Sequence, residues 1–432
     1  MTNAGFSRLV LWNIVRRTAF SLVLCYVMTT LTMQPAHGQT YTALHTFTGP
    51  DGANPHAGVT PDASGNLYGT TYEGGTHNRV CGNGCGTVFK LTHKNSGWVL
   101  TTLYSFQGGF DGAAPTARVV WGPDGALYGT TSGSLGNFGT VFRLTPPAAI
   151  CHAVSCPWTE TVIYRFTGGV DGDQPGYGDL IFDQAGNIYG TTVQGGAHQQ
   201  GTVFKLTRFD TVWLESVLYS FAGPSDGAYP FGGLVFDNAG NLYGTTTYGG
   251  VPTQGFSQGL GAIFQLTPSG SGWTESVLWR FQDELDGAFP YAALTFDSSG
   301  TAYGTASSGG GGLCNILDVA GCGTIFEGFG TGIYSFSGSQ QGLYTPYGPA
   351  APLTSDAAGN LYGTTYQDGA NNDGSVFKLT HGDSGWTYAS LHDFGNNDGA
   401  FPLSNVVFDS SGNMFGTALG GSSGGVVWEI TP

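Results

Sequence analysis

The sequence predicts an all-β fold: a seven-bladed β-propeller of four-stranded antiparallel blades, closed by the N-terminal strand pairing in the last blade. A Tyr-Gly-Thr phrase recurs every 53 to 61 residues, a period typical of repeat architectures. Short apolar runs alternate with clusters of Gly, Asn, Asp and Ser, as in strands joined by tight turns. The seventh repeat stops one strand short, and the chain begins with a strand that would complete it. The seven copies centre on Tyr68, Tyr128, Tyr189, Tyr243, Tyr303, Tyr362 and the variant Phe415.

The third repeat shows the predicted order of strands within one blade. Residues 180–183, 187–192, 201–207 and 213–221 are four apolar or aromatic segments separated by turn residues. The first three lack polar alternation, so both faces of each sheet must be covered, as neighbouring blades would do. Glycine usually weakens a strand. Its place inside every Tyr-Gly-Thr therefore suggests a close backbone approach between adjacent sheets.

The two ends of the chain favour a closed ring over an open stack. The segment 425–430 is a third strand with no fourth strand after it, whereas residues 42–47 align with the fourth strand at 216–221. An open solenoid would need polar capping repeats at both ends, and the sequence has none. The propeller is expected to span residues 39–432. Its predicted blades are about 51–106, 111–166, 171–221, 226–281, 286–336, 342–394, and 398–432 plus 41–47.

Residues 1–38 resemble an export signal. Three arginines precede an apolar stretch that is shorter than a bilayer span, and a small-residue cleavage site follows. A cleaved signal peptide is expected, with an uncleaved N-terminal anchor as the alternative, and the protein should be periplasmic, secreted or held at the cell surface. Removing three basic residues changes the net charge of −16 to −19. Such an acidic surface argues against nucleic acid as a partner. The mature chain carries no further apolar run, so we expect no membrane span, and we expect a monomer.

Six cysteines outside the signal form three close couples, which an exported chain would oxidise to disulfides. A zinc site would need ligands that converge, and these couples fall in three different repeats. The expected disulfides are Cys81–Cys85, Cys151–Cys156 and Cys314–Cys322.

Residues 226–230 (Asp-Gly-Ala-Tyr-Pro), the phrase at 241–246 and the following Gly-Thr-Val-Phe pattern resemble the GloVer-type tandem repeat of exported bacterial proteins. The resemblance covers residues 41–432. The segment 237–243 is also similar to the strand–turn–strand of NHL-type propellers. The resemblance implies a secreted or cell-surface protein and no established enzymatic activity. Family members often end in a C-terminal anchor, which this sequence does not show.

Six aspartates open the Asp-Gly-Ala-x-Pro turn and should lie on one face of the propeller. Aspartate accepts backbone hydrogen bonds in such turns, so a structural role is expected. Calcium bound by carboxylates is the alternative, and no other cofactor or metal is indicated. These residues are Asp51, Asp111, Asp171, Asp226, Asp286 and Asp398. A second series at the opposite hairpin is interpreted as turn-forming: Asp62, Asp183, Asp237, Asp297, Asp356 and Asp409.

The loops between the second and third strands share the face of the first aspartate series and vary most in length. Variable loops on a rigid scaffold are common recognition sites, although neutral drift in length is an alternative explanation. The candidate contact residues are Tyr72, Glu73, His77, Arg79, Tyr248 and Phe256. Tryptophans that begin the fourth strands recur in most blades and are interpreted as packing residues rather than sugar platforms.

The sequence favours an exported module that binds an extracellular ligand or surface protein, or acts as a scaffold, with a glycan as one expected class of partner. The histidines lack metal-site spacing, and no catalytic motif is present. The alternative is a polysaccharide-active hydrolase or lyase that works at the mouth of the channel, for which Glu73 and one of the turn aspartates could supply a carboxylate pair.

Overall fold

In a computed structural model of the chain, residues 41–431 form one compact unit. The structure describes residues 39–133, 136–147, 157–250, 252, 257–270, 272–282, 285–311, 314–316, 319–337, 348–395, 398–420 and 424–432. The predicted signal segment, the predicted Cys151–Cys156 bond and the candidate Phe256 lie outside them. Among the described residues, no helix has the length and apolar character that crossing a lipid bilayer requires.

Within the described residues, the strands form seven four-stranded antiparallel sheets and one small hairpin. The first strands are β2 (Thr60–Pro61), β6 (Val120–Trp121), β10 (Ile181–Phe182), β14 (Val235–Phe236), β18 (Thr295–Phe296), β24 (Thr354–Ser355) and β28 (Val407–Phe408). The second strands are β3 (Leu67–Thr71), β7 (Leu127–Thr131), β11 (Ile188–Thr192), β15 (Leu242–Thr246), β19 (Ala302–Ala306), β25 (Leu361–Thr365) and β29 (Met414–Ala418). The third strands are β4 (Thr87–Lys94), β8 (Thr140–Thr145), β12 (Thr202–Phe209), β16 (Ala262–Ser269), β22 (Thr324–Glu327), β26 (Ser375–Gly382) and β30 (Val426–Thr431). The fourth strands are β1 (Thr40–Thr46), β5 (Gly97–Ser105), β9 (Thr159–Arg165), β13 (Val212–Ser220), β17 (Gly272–Arg280), β23 (Thr331–Ser335) and β27 (Gly385–Asp393). The hairpin β20 (Asn315–Ile316) and β21 (Val319–Ala320) lies in the long loop of the fifth blade.

The predicted closure of the ring is confirmed. The seventh sheet has the order β1-β30-β29-β28, so the N-terminal strand pairs with the last strand of the chain. Just beyond β1, the Phe47 amide donates a hydrogen bond to the Gly425 carbonyl (2.9 Å), and the Gly424 amide donates to the Phe47 carbonyl (3.2 Å). Phe47 is 1% exposed and packs with Phe89 and Val427, so it joins the cores of the seventh and first blades.

The glycine of the Tyr-Gly-Thr phrase has a different explanation from the one that the sequence suggested. We expected a close approach of backbones from two sheets, and this expectation is wrong. A Cβ atom built on Gly190 would lie 2.7 Å from Cζ of Phe204, which is its cross-strand partner in the same sheet. In every blade the third-strand aromatic ring covers this glycine; in the last blade Trp428 covers Gly416. Glycine is therefore required because an aromatic side chain occupies the space of its missing Cβ.

The tyrosine and the first threonine of the phrase each make a hydrogen bond that recurs from blade to blade. Tyr189 Oη donates to the hairpin residue Asp183 (3.0 Å), whose Oδ1 also accepts the amides of Ala185 and Asn187. Burial alone would raise the pKa of Asp183, but hydrogen bonds from Asn187 and Tyr189 outweigh it and lower that pKa. The threonines donate to carbonyls of residues that lie shortly before the first strand of the next blade. Those pairs are Thr70–Ala117, Thr191–Gly232, Thr245–Ala292, Thr305–Ala351, Thr364–Ser404 and Thr417–Ala57.

Three half-buried glutamates occupy equivalent positions on consecutive fourth strands, and each has a buried Oε1 atom with no hydrogen-bond partner among the described residues. They are Glu160, Glu215 and Glu275. Burial, together with the charge of a nearby turn aspartate, raises the pKa of each glutamate to about 7. The native state therefore binds these protons more tightly than the unfolded state does. The resulting stability is complete below about pH 4.5 and declines as the pH rises toward 7.

We expect Glu215→Gln to stabilise the protein near pH 8 and to have little effect near pH 4, because the amide replaces a carboxylate that is costly to ionise. Screening at this half-buried site limits the expected gain to about 1 kcal/mol. Melting curves at both pH values measure the difference. The exposed Asp383→Asn removes the same charge and serves as the control. An equal gain from both variants would show that relief of the overall negative charge, rather than burial of Glu215, is responsible.

Candidate functional site

The six turn aspartates are committed to their own turns. Asp226 Oδ2 accepts hydrogen bonds from Tyr219 Oη (2.7 Å) and from the Ala222 amide (2.9 Å). The other turns repeat the pattern with a Tyr, Trp or His side chain from the preceding fourth strand. Those contacts are His45–Asp51, Tyr104–Asp111, Tyr164–Asp171, Trp279–Asp286 and His392–Asp398. In the part of the chain that the structure describes, no three His, Cys, Asp or Glu side chains are grouped to hold a metal ion. The calcium alternative stays a prediction.

These turns also fix the start of the loops that the sequence singled out. The residue before the proline has a positive φ, for example 53° at Asn54 and 57° at Gln174. In this conformation the Asn54 carbonyl accepts the Tyr72 amide (3.0 Å) and the Gln174 carbonyl accepts the Val193 amide (3.1 Å). The connection between blades and the loop between the second and third strands are thus held together on one face.

Two of the three predicted disulfides are present, and both lie in these loops: Cys81–Cys85 in the first blade and Cys314–Cys322 in the fifth. Cys85, Cys314 and Cys322 are buried against the blade cores, so the bonds anchor the long loops to the scaffold. Such bonds persist in oxidising compartments, which agrees with an exported protein.

The structure separates the candidate loop residues from one another. Tyr72 stacks on His56, with ring centroids 4.7 Å apart. Glu73 Oε2 instead accepts a hydrogen bond from Asn54 Nδ2 (2.8 Å), and Tyr248 packs edge-on between Tyr229 and Phe289. His77 and Arg79 are exposed on the loop of the first blade.

The central cavity lies where the first strands of the seven blades meet and has a volume of about 590 Å³. Two rings of residues line it at equivalent positions after each turn. The outer ring consists of His56, Thr116, Tyr177, Phe231, Tyr291, Ala350 and Leu403, and the inner ring of Gly58, Arg118, Asp179, Gly233, Ala293, Pro352 and Asn405. The turns and strands on either side repeat, but these fourteen residues do not. The cavity is therefore a place where the blades differ chemically.

Arg118 and Asp179 form an ion pair inside this cavity, from the second and third blades. Nε and Nη2 of Arg118 lie 2.8 and 2.7 Å from Asp179 Oδ2, and the Arg118 amide donates to Oδ1 (2.9 Å). The Asp179 carboxylate thus accepts hydrogen bonds from three donor groups of one residue, which fixes both side chains at the wall of the central cavity.

Asn405 faces the cavity from the seventh blade. Its Oδ1 atom occupies the space beside Gly58, 2.5 Å from where a Cβ on that glycine would lie. The Asn405 side chain makes no hydrogen bond to any described residue, so its amide is available to a ligand. Burial lowers the pKa of His56, on the outer ring, to about 4, so His56 is uncharged at neutral pH.

The junction between the second and third blades departs from the repeat in its backbone as well. Gly176 is an extra residue relative to the other turns, and it moves Tyr177 outward to 41% exposure. The buried Oγ1 of Thr130, which would otherwise donate across the junction, has no partner among the described residues, and Thr116 Oγ1 donates to the Gly176 carbonyl instead. A second cavity of about 310 Å³ lies beside this junction and shares Tyr177 with the first.

Sequence reasoning missed His56, Arg118, Tyr177, Asp179 and Asn405, although a signal for them was present. When the repeats are aligned on the proline of each turn, allowing for the extra Gly176, the first and third residues after it differ among the copies in charge and size, whereas the second stays small and the fourth is Val or Leu. A search for repeated motifs overlooks positions that differ from one repeat to the next.

The fold and the central cavity define a seven-bladed β-propeller that is built from tandem repeats. The residues that line its cavity differ from blade to blade. The chain belongs to the Gloeobacter/Verrucomicrobia repeat family, whose profile matches residues 28–250, 154–316 and 250–432. This confirms the resemblance found in the sequence.

Solved structures that are similar to this chain share little sequence with it. A putative oxidoreductase (glucose dehydrogenase) from Thermus thermophilus is 12% identical, with a TM-score of 0.44 over 91% of this chain and 100% of its own. A gluconolactonase from Xanthomonas campestris is also 12% identical, with a TM-score of 0.40 over 92% of this chain and 98% of its own. Likeness at this level carries no functional argument. A search of curated proteins finds no match.

Proposed function

We propose that the protein is an exported binding module that holds a small molecule, or the end of a larger one, in the central cavity. The observation that supports this proposal is that residues lining the cavity differ from blade to blade, whereas the strands and turns that hold them are repeated. A volume of about 590 Å³ is in the usual range for ligand pockets. The Arg118–Asp179 pair and the unpaired Asn405 amide supply the few fixed polar groups that orient a ligand in such pockets.

Binding is favoured over catalysis by the chemistry of the cavity wall. Asp179 is the one carboxylate among the described residues that line this cavity, and it is already paired with Arg118. A hydrolase of the two-carboxylate type would need a second acid within reach. Glu73, which the sequence offered for that role, is hydrogen-bonded to Asn54.

The variant Ala350→Tyr tests this proposal. Ala350 is equivalent to Tyr291 of the fifth blade, so the scaffold already accommodates an aromatic side chain there, and a second one would fill the opening. We expect any small molecule that raises the melting temperature of the wild type to lose most of that effect on Ala350→Tyr. The exposed Ala358→Tyr, at the opposite hairpin, is the matched control. A ligand that stabilises all three proteins equally would place its site elsewhere.

A further inference from the structure

We infer that the ligand is an uncharged oligosaccharide, whose terminal sugar enters the central cavity and whose next units pass over Tyr177 into the second cavity. This inference rests on the proposed function and specifies its ligand. It draws on the charge of the cavity, its aromatic wall and the arrangement of the two cavities.

The central cavity offers no unpaired charge to a ligand. Arg118 and Asp179 neutralise each other, and His56 is uncharged at neutral pH. No lysine and no further acid line the cavity among the described residues. An anion would need a free cation here, and it would also approach a chain of net charge −16. A cationic ligand would need a free carboxylate. An uncharged ligand fits without leaving a buried charge unpaired.

One side of the cavity is an aromatic wall from three successive blades. The ring centroids of Tyr177 and Phe231 are 4.9 Å apart, and those of Phe231 and Tyr291 are 5.3 Å apart. The small Ala350 and the polar Asn405 line the same cavity. A sugar ring has a C–H face that packs on aromatic rings and hydroxyl groups at its edge that need hydrogen-bond partners. The aromatic wall can pack against the C–H face of a sugar ring, and the Asn405 amide can both donate hydrogen bonds to its hydroxyl groups and accept them.

The second cavity extends the site beyond a single sugar. It is lined by Tyr72, Asn137, Asp173 and Gln174 together with the shared Tyr177. The Gln174 side chain makes no hydrogen bond to described residues, so its amide is free to bind hydroxyls. Asp173, next to it, repels an acidic sugar. Because Tyr177 is the exposed wall between the two cavities, a ligand that occupies both must cross its ring.

Calorimetric titration with uncharged oligosaccharides of increasing length, such as cello-, xylo- and manno-oligosaccharides, tests the inference. We expect at least one series to bind, and its affinity to rise from the monosaccharide to the trisaccharide and then level off. Tyr177→Ala should lower trisaccharide affinity about tenfold or more, equivalent to about 1.4 kcal/mol. The monosaccharide should lose less. Asn405→Ala should weaken all lengths, whereas Gln174→Ala should weaken only the longer ones.

Two controls keep the result interpretable. Tyr177→Trp preserves the aromatic surface and should retain binding, so a loss in Tyr177→Ala alone identifies the aromatic ring, rather than the tyrosine hydroxyl, as the group that the ligand contacts. Matched oligouronates should bind at least tenfold more weakly than their uncharged counterparts, on the same conversion. Tighter uronate binding, or Tyr177→Ala indistinguishable from wild type, would overturn the inference. If no saccharide binds but other molecules lose binding in Ala350→Tyr, this inference fails while the proposed function stands.

Discussion

Deleting residues 40–47 is expected to abolish the folded monomer. The deletion removes the outer strand of the seventh blade and Phe47, which is 1% exposed between two blades. Loss of a buried phenylalanine alone costs about 3–5 kcal/mol, a large part of the roughly 5–15 kcal/mol that stabilises a typical domain. The deletion also leaves β30 as an unpaired edge, which invites aggregation. Size-exclusion chromatography and a thermal melt followed by circular dichroism measure the outcome.

Point variants separate the buried ring from the strand itself. Phe47→Leu keeps most of the apolar volume and should stay folded with a modestly lower melting temperature, whereas Phe47→Ala should approach the deletion in severity. A truncated chain that elutes as a monomer and melts within a few degrees of the intact protein would contradict the role assigned to β1.

The second large effect is expected from Gly190→Ala. The new methyl group would lie 2.7 Å from Cζ of Phe204, whose side chain is fully buried and cannot move without disturbing two blades. Overpacking of this kind costs about 1–3 kcal/mol or more. Chemical denaturation of the variant and the wild type gives the difference in free energy of unfolding.

Gly272→Ala is the matched control, because it also lies in a strand but has no atom within 4 Å of its added Cβ. It should be neutral or slightly stabilising. Adding Phe204→Leu to Gly190→Ala should cost less than the sum of the two single changes, since the shorter side chain makes room for the methyl group. Additive costs would show that the ring of Phe204 is not what requires glycine.

The architecture could be predicted from sequence because each blade makes the same contacts. Seven copies of one phrase give the repeat length, and the missing last strand gives the closure. The reason for the glycine could not be predicted in the same way, because a glycine covered by a neighbouring backbone and one covered by an aromatic ring give the same sequence pattern. The register Gly190↔Phe204 was needed to distinguish the two.

The site was harder to predict for the opposite reason. Arg118, Asp179 and Asn405 belong to three different blades, and their proximity depends on how seven short strands converge on one axis. The loops that the sequence favoured contribute Tyr72 to the wall of the second cavity, but Glu73 and Tyr248 are used in local packing and hydrogen bonding. Repeated residues identify the scaffold, and residues that differ at one repeated position identify the candidate site.

The arrangement of the channel depends on a ring whose two chain ends share one sheet. Hydrogen exchange followed by mass spectrometry on the intact protein tests this most directly, by comparing peptides that contain β1 and β30. We expect the inward-facing amides of β1 to exchange as slowly as those of β13, an outer strand far from either end, because both open only when the ring unfolds. If the β1 peptide exchanges fully within seconds while β30 stays protected, the N-terminal strand does not close the ring.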